Sequence, residues 1–244
     1  MANWNDPQPS RTGFGASLNG TSIGVGTDAG LRRHMLSIYN YMASGVLLSG
    51  VVALLFAQSG YALQIMQTPL QWLIVLAPLG FVMAMSFGAN KMQTTTLQAL
   101  FWGFSVVMGL SLSTIFLVYT GASIATTFFS TAAAFAGLSL VGYTTKKDLS
   151  AMGSFLIMGL IGIIVASLIN LFLQSSGLAM AISILGVLIF AGLTAYDTQK
   201  LKEQYAYVRG TDFAGKAVVL GALNLYLDFI NMFLFLLRFM GDRR

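Results

Sequence analysis

The sequence predicts an all-α integral membrane protein of seven transmembrane helices, and three observations lead there. Of its 244 residues 56% are hydrophobic and only 9% charged, with a mean hydropathy of +0.76, which is more apolar than a soluble domain needs. The charges are also confined to short clusters. From Arg33 to Lys91 only His34 interrupts the uncharged sequence, while Lys91 to Lys146 and Asp148 to Asp197 enclose no Asp, Glu, Lys, Arg or His. Each interval holds two helices of about 20 residues and a turn, so the clusters mark out three helical hairpins. A last apolar run, Ala217 to Leu237, adds a seventh helix.

The first thirty residues are rich in Gly, Ser, Asn and Thr and contain Pro7 and Pro9. Such a segment cannot bury a core, and it is expected to be a disordered cytoplasmic tail over 1–30, followed by the membrane domain over 31–244. No basic start leads quickly into an apolar stretch, so the first helix is expected to act as its own insertion signal, without a cleavable leader. The helices are expected at Leu36 to Gln58, Leu70 to Asn90, Leu97 to Tyr119, Ala122 to Tyr143, Met152 to Gln174, Leu178 to Asp197 and Ala217 to Leu237. Pro78 predicts a kink in the second of these. The turns within hairpins carry Ser59-Gly60, Gln67-Thr68-Pro69, Thr120-Gly121 and Ser175-Ser176-Gly177, all chain-breaking chemistry, and no Lys or Arg. Between hairpins lie Arg32 and Arg33, then Lys91, then Lys146 and Lys147, then Lys200, Lys202, Arg209 and Lys216. The positive-inside rule places those segments and the N-terminus in the cytoplasm. Seven crossings carry the C-terminus to the far side. The basic end, Arg238 with Asp242, Arg243 and Arg244, keeps open a re-entrant last run whose tail returns.

Several function classes are disfavoured by composition. Cysteine is absent, which removes disulfides, thiol nucleophiles and thiolate metal sites. The net charge of +5 follows from the loops and gives nucleic-acid binding little support. No His cluster, metal-ligand spacing or phosphate-binding Gly loop is present, so neither a cofactor nor an enzyme activity is expected.

Two acids carry most of the functional signal. Asp228 stands in the middle of the last apolar run, roughly 18 Å along a helix and so near the centre of a ~30 Å hydrocarbon layer. Ionisable groups at that depth mark ion or proton paths. Asp197 closes the preceding run in Thr194-Ala195-Tyr196-Asp197-Thr198-Gln199. Along the last helix, Gly221, Asn224, Asp228, Asn231, Phe235 and Arg238 recur at spacings of three and four, which puts them on one face. Such a seam faces protein or water, and the helix bearing it is expected at or near the centre of the bundle. The structural alternatives are an interhelical hydrogen bond for Asp228 and a boundary ion pair with Lys200 for Asp197. Asn170 and the group Ser105, Ser111, Ser113 and Thr114 read as helix packing, and His34 as an interfacial side chain.

Ala195-Tyr196-Asp197-Thr198-Gln199, then Leu225-Tyr226-Leu227-Asp228-Phe229-Ile230-Asn231-Met232-Phe233, closed by Leu236-Leu237-Arg238, resembles the signature of the transmembrane Bax inhibitor motif family, in its bacterial branch. Helix number and charge placement extend the resemblance from Arg32 to Gly241. It implies six helices surrounding a central seventh, a bacterial inner membrane, and a pH-sensitive, calcium-permeable leak whose gate is the protonation of an acid pair, Asp197 and Asp228. Asn224, Asn231 and Arg238 would form the supporting polar seam. Two carboxylates in a low-dielectric site share a proton and titrate as a unit; without it they repel one another and attract a hard cation such as calcium, for which the same two acids are the candidate ligands. Calcium and protons are then the expected small partners, within the lipid bilayer.

The chain departs from that pattern in two ways. The spans above put Asp197 near the cytoplasmic boundary and Asp228 deeper, so direct pairing needs a tilted or shifted sixth helix. The second helix, a possible source of a basic latch in this family, has no ionisable residue, and Lys91 at its end is the nearest candidate. The bacterial branch also supplies an alternative function, a regulator of a membrane-bound ATP-dependent protease acting through the polar tail. An intramembrane aspartyl protease would likewise use Tyr-Asp on one helix and Asp on the next. Here Leu225-Tyr226-Leu227 stands where Gly-x-Gly is required, and no Pro-Ala-Leu follows.

Overall fold

The computed structural model describes residues 19–244, and among these it forms nine helices. They are α1 (Asn19–Gln58), α2 (Tyr61–Met66), α3 (Leu70–Gly88), α4 (Thr94–Leu112), α5 (Ile115–Val118), α6 (Gly121–Thr144), α7 (Ser150–Leu173), α8 (Ser176–Val208) and α9 (Ala214–Met240). Seven segments are long and apolar enough to cross a membrane: Ala29–Gln58, Leu70–Gly88, Thr94–Val118, Gly121–Thr144, Ser150–Leu173, Ser176–Val208 and Ala214–Met240. The fold class and the number of spans are those the charge clusters predict. Of the tail expected over 1–30, residues 1–18 lie outside the described residues, and α1 begins at Asn19.

Local chemistry sets the ends of these helices. Thr120 accepts a hydrogen bond from the Ser123 amide at the start of α6, and Ser175 accepts one from the Leu178 amide at the start of α8, each satisfying an amide with no partner inside its own helix. Gly60 and Gly210 take φ of 76°, a left-handed conformation that costs glycine nothing. Two features differ from expectation. The first hairpin turn contains the short α2, and the third span breaks at Ser113 and Thr114 before resuming as α5.

The larger difference is α8. The sixth span is expected to stop at Asp197, where the apolar run ends, yet the helix continues to Val208. Tertiary contacts sustain the polar extension. Gln199 Nε2 donates to the Lys147 carbonyl at 2.8 Å and Gln199 Oε1 accepts from the Leu149 amide at 2.8 Å. Lys202 Nζ donates to the Tyr143 carbonyl at 2.8 Å, and the Tyr205 ring lies 5.2 Å from that of His34. Gly142 of α6 meets α8 at the level of the acid, where an added Cβ would run into the Ala195 backbone.

The last helix is the most buried span, with 61% of its most apolar window inside the protein against 11% for α7. It packs against α1, α3, α4, α6 and α8, while α7 lies principally against α8. Around Tyr226, which is fully buried, three helices are tied together. The Tyr226 hydroxyl lies 2.6 Å from Ser49 Oγ, and Ser49 reaches the Ser105 carbonyl at 2.6 Å and the Gly45 carbonyl at 3.0 Å. Ser49 has one proton and directs it to those carbonyls, so Tyr226 is the donor to Ser49. Phe101 and Phe104 pack edge-on against the same ring, at 6.3 and 5.0 Å.

The C-terminal residues are fastened to the α5–α6 turn. The Thr120 amide donates to the Asp242 carbonyl at 3.1 Å and the Arg244 amide to the Val118 carbonyl at 2.9 Å. The Asp242 amide donates to Ser123 Oγ at 2.9 Å, and the Arg243 guanidinium stands 5.9 Å from the Tyr119 ring. Because α6 runs from that turn to the loop bearing Lys146 and Lys147, the C-terminus lies at the end of the bundle opposite that loop. A re-entrant α9 would return it to the Lys146 end, so the last helix is a full crossing.

Candidate functional site

Between α7, α8 and α9 lies a cavity of about 680 Å³. From α8 it is lined by Tyr196, Asp197 and Lys200, and from α9 by Asn224, Leu227, Asp228, Asn231 and Phe235. The α7 wall runs from Ile157 to Leu171, apolar apart from Ser167, and Phe190 and Leu193 of α8 complete the lining. The spacing of three and four in the α9 seam therefore has a physical counterpart, since four of its members share one face of one cavity. Gly221 belongs elsewhere; it is buried, and an added Cβ would meet Leu201 and Ile38.

The Asp197 and Asp228 carboxyl groups stand next to one another in this cavity, close enough for each to act on the other. Two carboxyl groups so placed can share a hydrogen bond only if one of them carries a proton, because an ionised carboxylate has no donor. The axial offset expected from the spans is closed by the continuation of α8. Asp197 is an interior residue of a 33-residue helix, not its last, and it therefore stands beside Asp228 along the closely packed α8–α9 pair. Asp228 is 5% exposed, and its Oδ2 is buried with no hydrogen-bond partner. Buried carboxylate oxygens are rarely left so. Asp197 is partly accessible and feels the charge of Lys200 one turn away. The cation next to the acids thus comes from α8 itself, whereas Lys91 sits in the α3–α4 turn.

The other seam residues divide between two places. Asn231 Nδ2 donates back to the Leu227 carbonyl at 2.8 Å, leaving its amide oxygen as the group it can offer the cavity. Asn224 is exposed at the cavity wall. Arg238 lies beyond Phe235, with its guanidinium 5.8 Å from that ring, and lines a separate space of about 420 Å³ with Asn170, Gln174, Ser183 and Arg243. The loop at the Lys146 end is held in place over α8 by Gln199. Asp148 in that loop accepts a hydrogen bond from the Ser150 amide at 2.8 Å, and its bonds with Ser150 hold its carboxyl below the usual range. Among the described residues no cluster of three or more His, Asp or Glu side chains gathers to hold a metal. Sequence reasoning missed Gln199 as a loop anchor and Ser49 as a hub. Nothing distinguishes Ser49 in an apolar run, but Gln199 was open to notice as a long polar side chain just past an apolar span.

The family described as inhibitor of apoptosis-promoting Bax1 matches residues 31–244. A Rickettsia prowazekii protein is 48% identical over 231 residues, covering 93% of this chain and 97% of that one. The inner membrane protein YbhL of Escherichia coli strain K12 is 47% identical over 220 residues, covering 88% of this chain and 94% of its own. A protein of Lactococcus lactis is 40% identical over 217 residues, covering 87% and 92%.

Proposed function

This chain belongs to the Bax1-inhibitor family, and from that premise we propose that it is a pH-sensitive, calcium-permeable leak of a bacterial inner membrane, with its N-terminus in the cytoplasm. The observation that carries the reading is the acid pair, Asp197 and Asp228 side by side in one cavity, with one Asp228 oxygen unpartnered in a buried position. While the pair holds its proton, the two side chains bind one another and keep α8 and α9 together. Loss of that proton replaces a hydrogen bond with two like charges in contact, which repel and present a hard-oxygen site. Calcium takes six to eight oxygen ligands, and two carboxylates and two amide oxygens supply four when each carboxylate binds through one oxygen and six at most. Any remainder is water, as suits a passing ion better than a resident one.

Flux should therefore rise with pH. The test is calcium entry into dye-loaded liposomes containing the purified protein, scanned from mildly acidic to mildly alkaline buffer. Asp228→Asn replaces the carboxyl with a neutral group that still donates a hydrogen bond, so the pair can no longer become doubly charged and flux should stay low across the range. A folded wild-type protein that passes no calcium at any pH refutes the reading.

A further inference from the structure

The cavity at the acid pair and the smaller one beside Arg238 are both lined by α7, α8 and α9, the second nearer the Arg243 end. On α9, Asn231 and Phe235 line the first and Arg238 the second; on α8, Phe190 lines the first and Ser183 the second; on α7, Leu171 lines the first, Asn170 and Gln174 the second. On α8 and α9 the linings change between Phe190 and Ser183 and between Phe235 and Arg238, and on α7 they meet at Asn170 and Leu171. Phe235 stands at that change on α9. Its ring lies against Gly186, where an added Cβ would stand 2.6 Å from the ring, and it stacks on Phe190 with centroids 5.9 Å apart and planes 26° from parallel. The Arg238 guanidinium lies over the ring, 5.8 Å from its centroid.

We propose that the two cavities are the halves of one water path running between α7, α8 and α9, and that the Phe235 ring, seated on Gly186 and Phe190, is the barrier that separates them. The proposal extends the leak reading by giving the path a second compartment and a closure distinct from the acids. An apolar ring across a narrow path excludes water and hydrated ions without any charge. The ring has room to sit there because residue 186 has no side chain, and the cation above it gains from the ring's electron-rich face. The acids and the ring then have different tasks, the first setting when the path opens and the second blocking it.

The absence of cysteine makes the test direct. Asn231→Cys places one thiol just on the acid side of the ring, and Gln174→Cys one on the other side. A membrane-impermeant charged thiol reagent is applied to each face of reconstituted vesicles in turn. With Phe235 in place, Asn231→Cys should react only from the Lys146 end and Gln174→Cys only from the Arg243 end. Adding Phe235→Ala should bring the Asn231→Cys reaction from the Arg243 end up from background to near the rate seen from the other face. Gly186→Ala, which displaces the ring without removing it, should act in the same direction and stands in if Phe235→Ala fails to fold. Reaction of Asn231→Cys from the Arg243 end with Phe235 intact, or no gain in either ring variant while Gln174→Cys still reacts, overturns the barrier. Calcium flux measured in parallel separates the two claims. Gained labelling without flux retains the barrier and removes the leak; wild-type flux with unchanged labelling retains the leak and removes the barrier.

Discussion

Asp228 and Asp197 differ in what surrounds them, and that difference assigns their parts. Asp228 is enclosed, with an oxygen that no protein group satisfies, while Asp197 touches solvent-accessible space and the field of Lys200. In the proposed leak, Asp197 would be the route by which a proton reaches the pair, and Asp228 the group whose charge changes the cavity. Lys200→Ala should leave the pair intact but shift the pH at which flux rises, because removing the nearby cation makes the doubly charged state harder to reach; the midpoint should move to higher pH in the liposome scan. Ser49 offers a purely structural comparison. Ser49→Ala strands the fully buried Tyr226 hydroxyl, and interhelical hydrogen bonds in membranes contribute about 0.6 kcal/mol on average and up to about 1.7. A loss toward the upper figure in detergent unfolding, with the pH response unchanged, is expected. The two acids were legible in the sequence because charge in an apolar run is costly and so conspicuous. Ser49 was not, since a serine satisfies itself on its own helix wherever it stands and only the fold brings Ser105 and Tyr226 to it.

Helix α8 marks where periodicity and hydropathy stop being informative. Its membrane portion ends in hydropathy near Asp197, but the helix persists because Gln199, Lys202 and Tyr205 find partners on α6, the following loop and α1. Those partners lie fifty or more residues away in sequence, and nothing local announces them. The consequence is functional, since a helix ending at Asp197 would leave that acid at the boundary, away from Asp228. Gln199→Ala should release the loop carrying Lys146 and Lys147, seen as faster proteolysis there, with the seven spans retained. At Gly142, where α6 meets the α8 backbone, Gly142→Leu overpacks the contact and should cost about 1–3 kcal/mol, read as a lowered melting temperature. The seam of α9 was legible in part: spacing of three and four puts Asn224, Asp228, Asn231 and Phe235 on one cavity, while Gly221 packs on Leu201 and Ile38 and Arg238 lines a separate space. Which side of Phe235 each seam residue occupies was not legible.

Across the whole molecule, the charge clusters predicted the number of crossings, and the structure adds how the bundle is closed. The α9 helix lies among α1, α3, α4, α6 and α8, and on the α7 side its polar seam faces the cavity instead of a packed neighbour. The tail clamps the last helix to the α5–α6 turn through Thr120, Ser123 and Val118, so a reporter at Arg244 should be found on the opposite face of the membrane from one in the Lys146 loop. Basic residues at the tail obscured that in the sequence, because charge counting and crossing parity pointed to different sides; Arg243 resolves the conflict by lying over Tyr119. The central claim is that Asp197 and Asp228 act as one titrating unit that gates calcium. Its most direct measurement is a double-variant cycle in the liposome assay, comparing Asp197→Asn, Asp228→Asn and both together. If the pair shares one proton, either single change removes the pH response and the double variant behaves as the singles do, which is the non-additivity of coupled neighbours. Independent, additive effects of the two changes, or a pH response that survives the double variant, would contradict it.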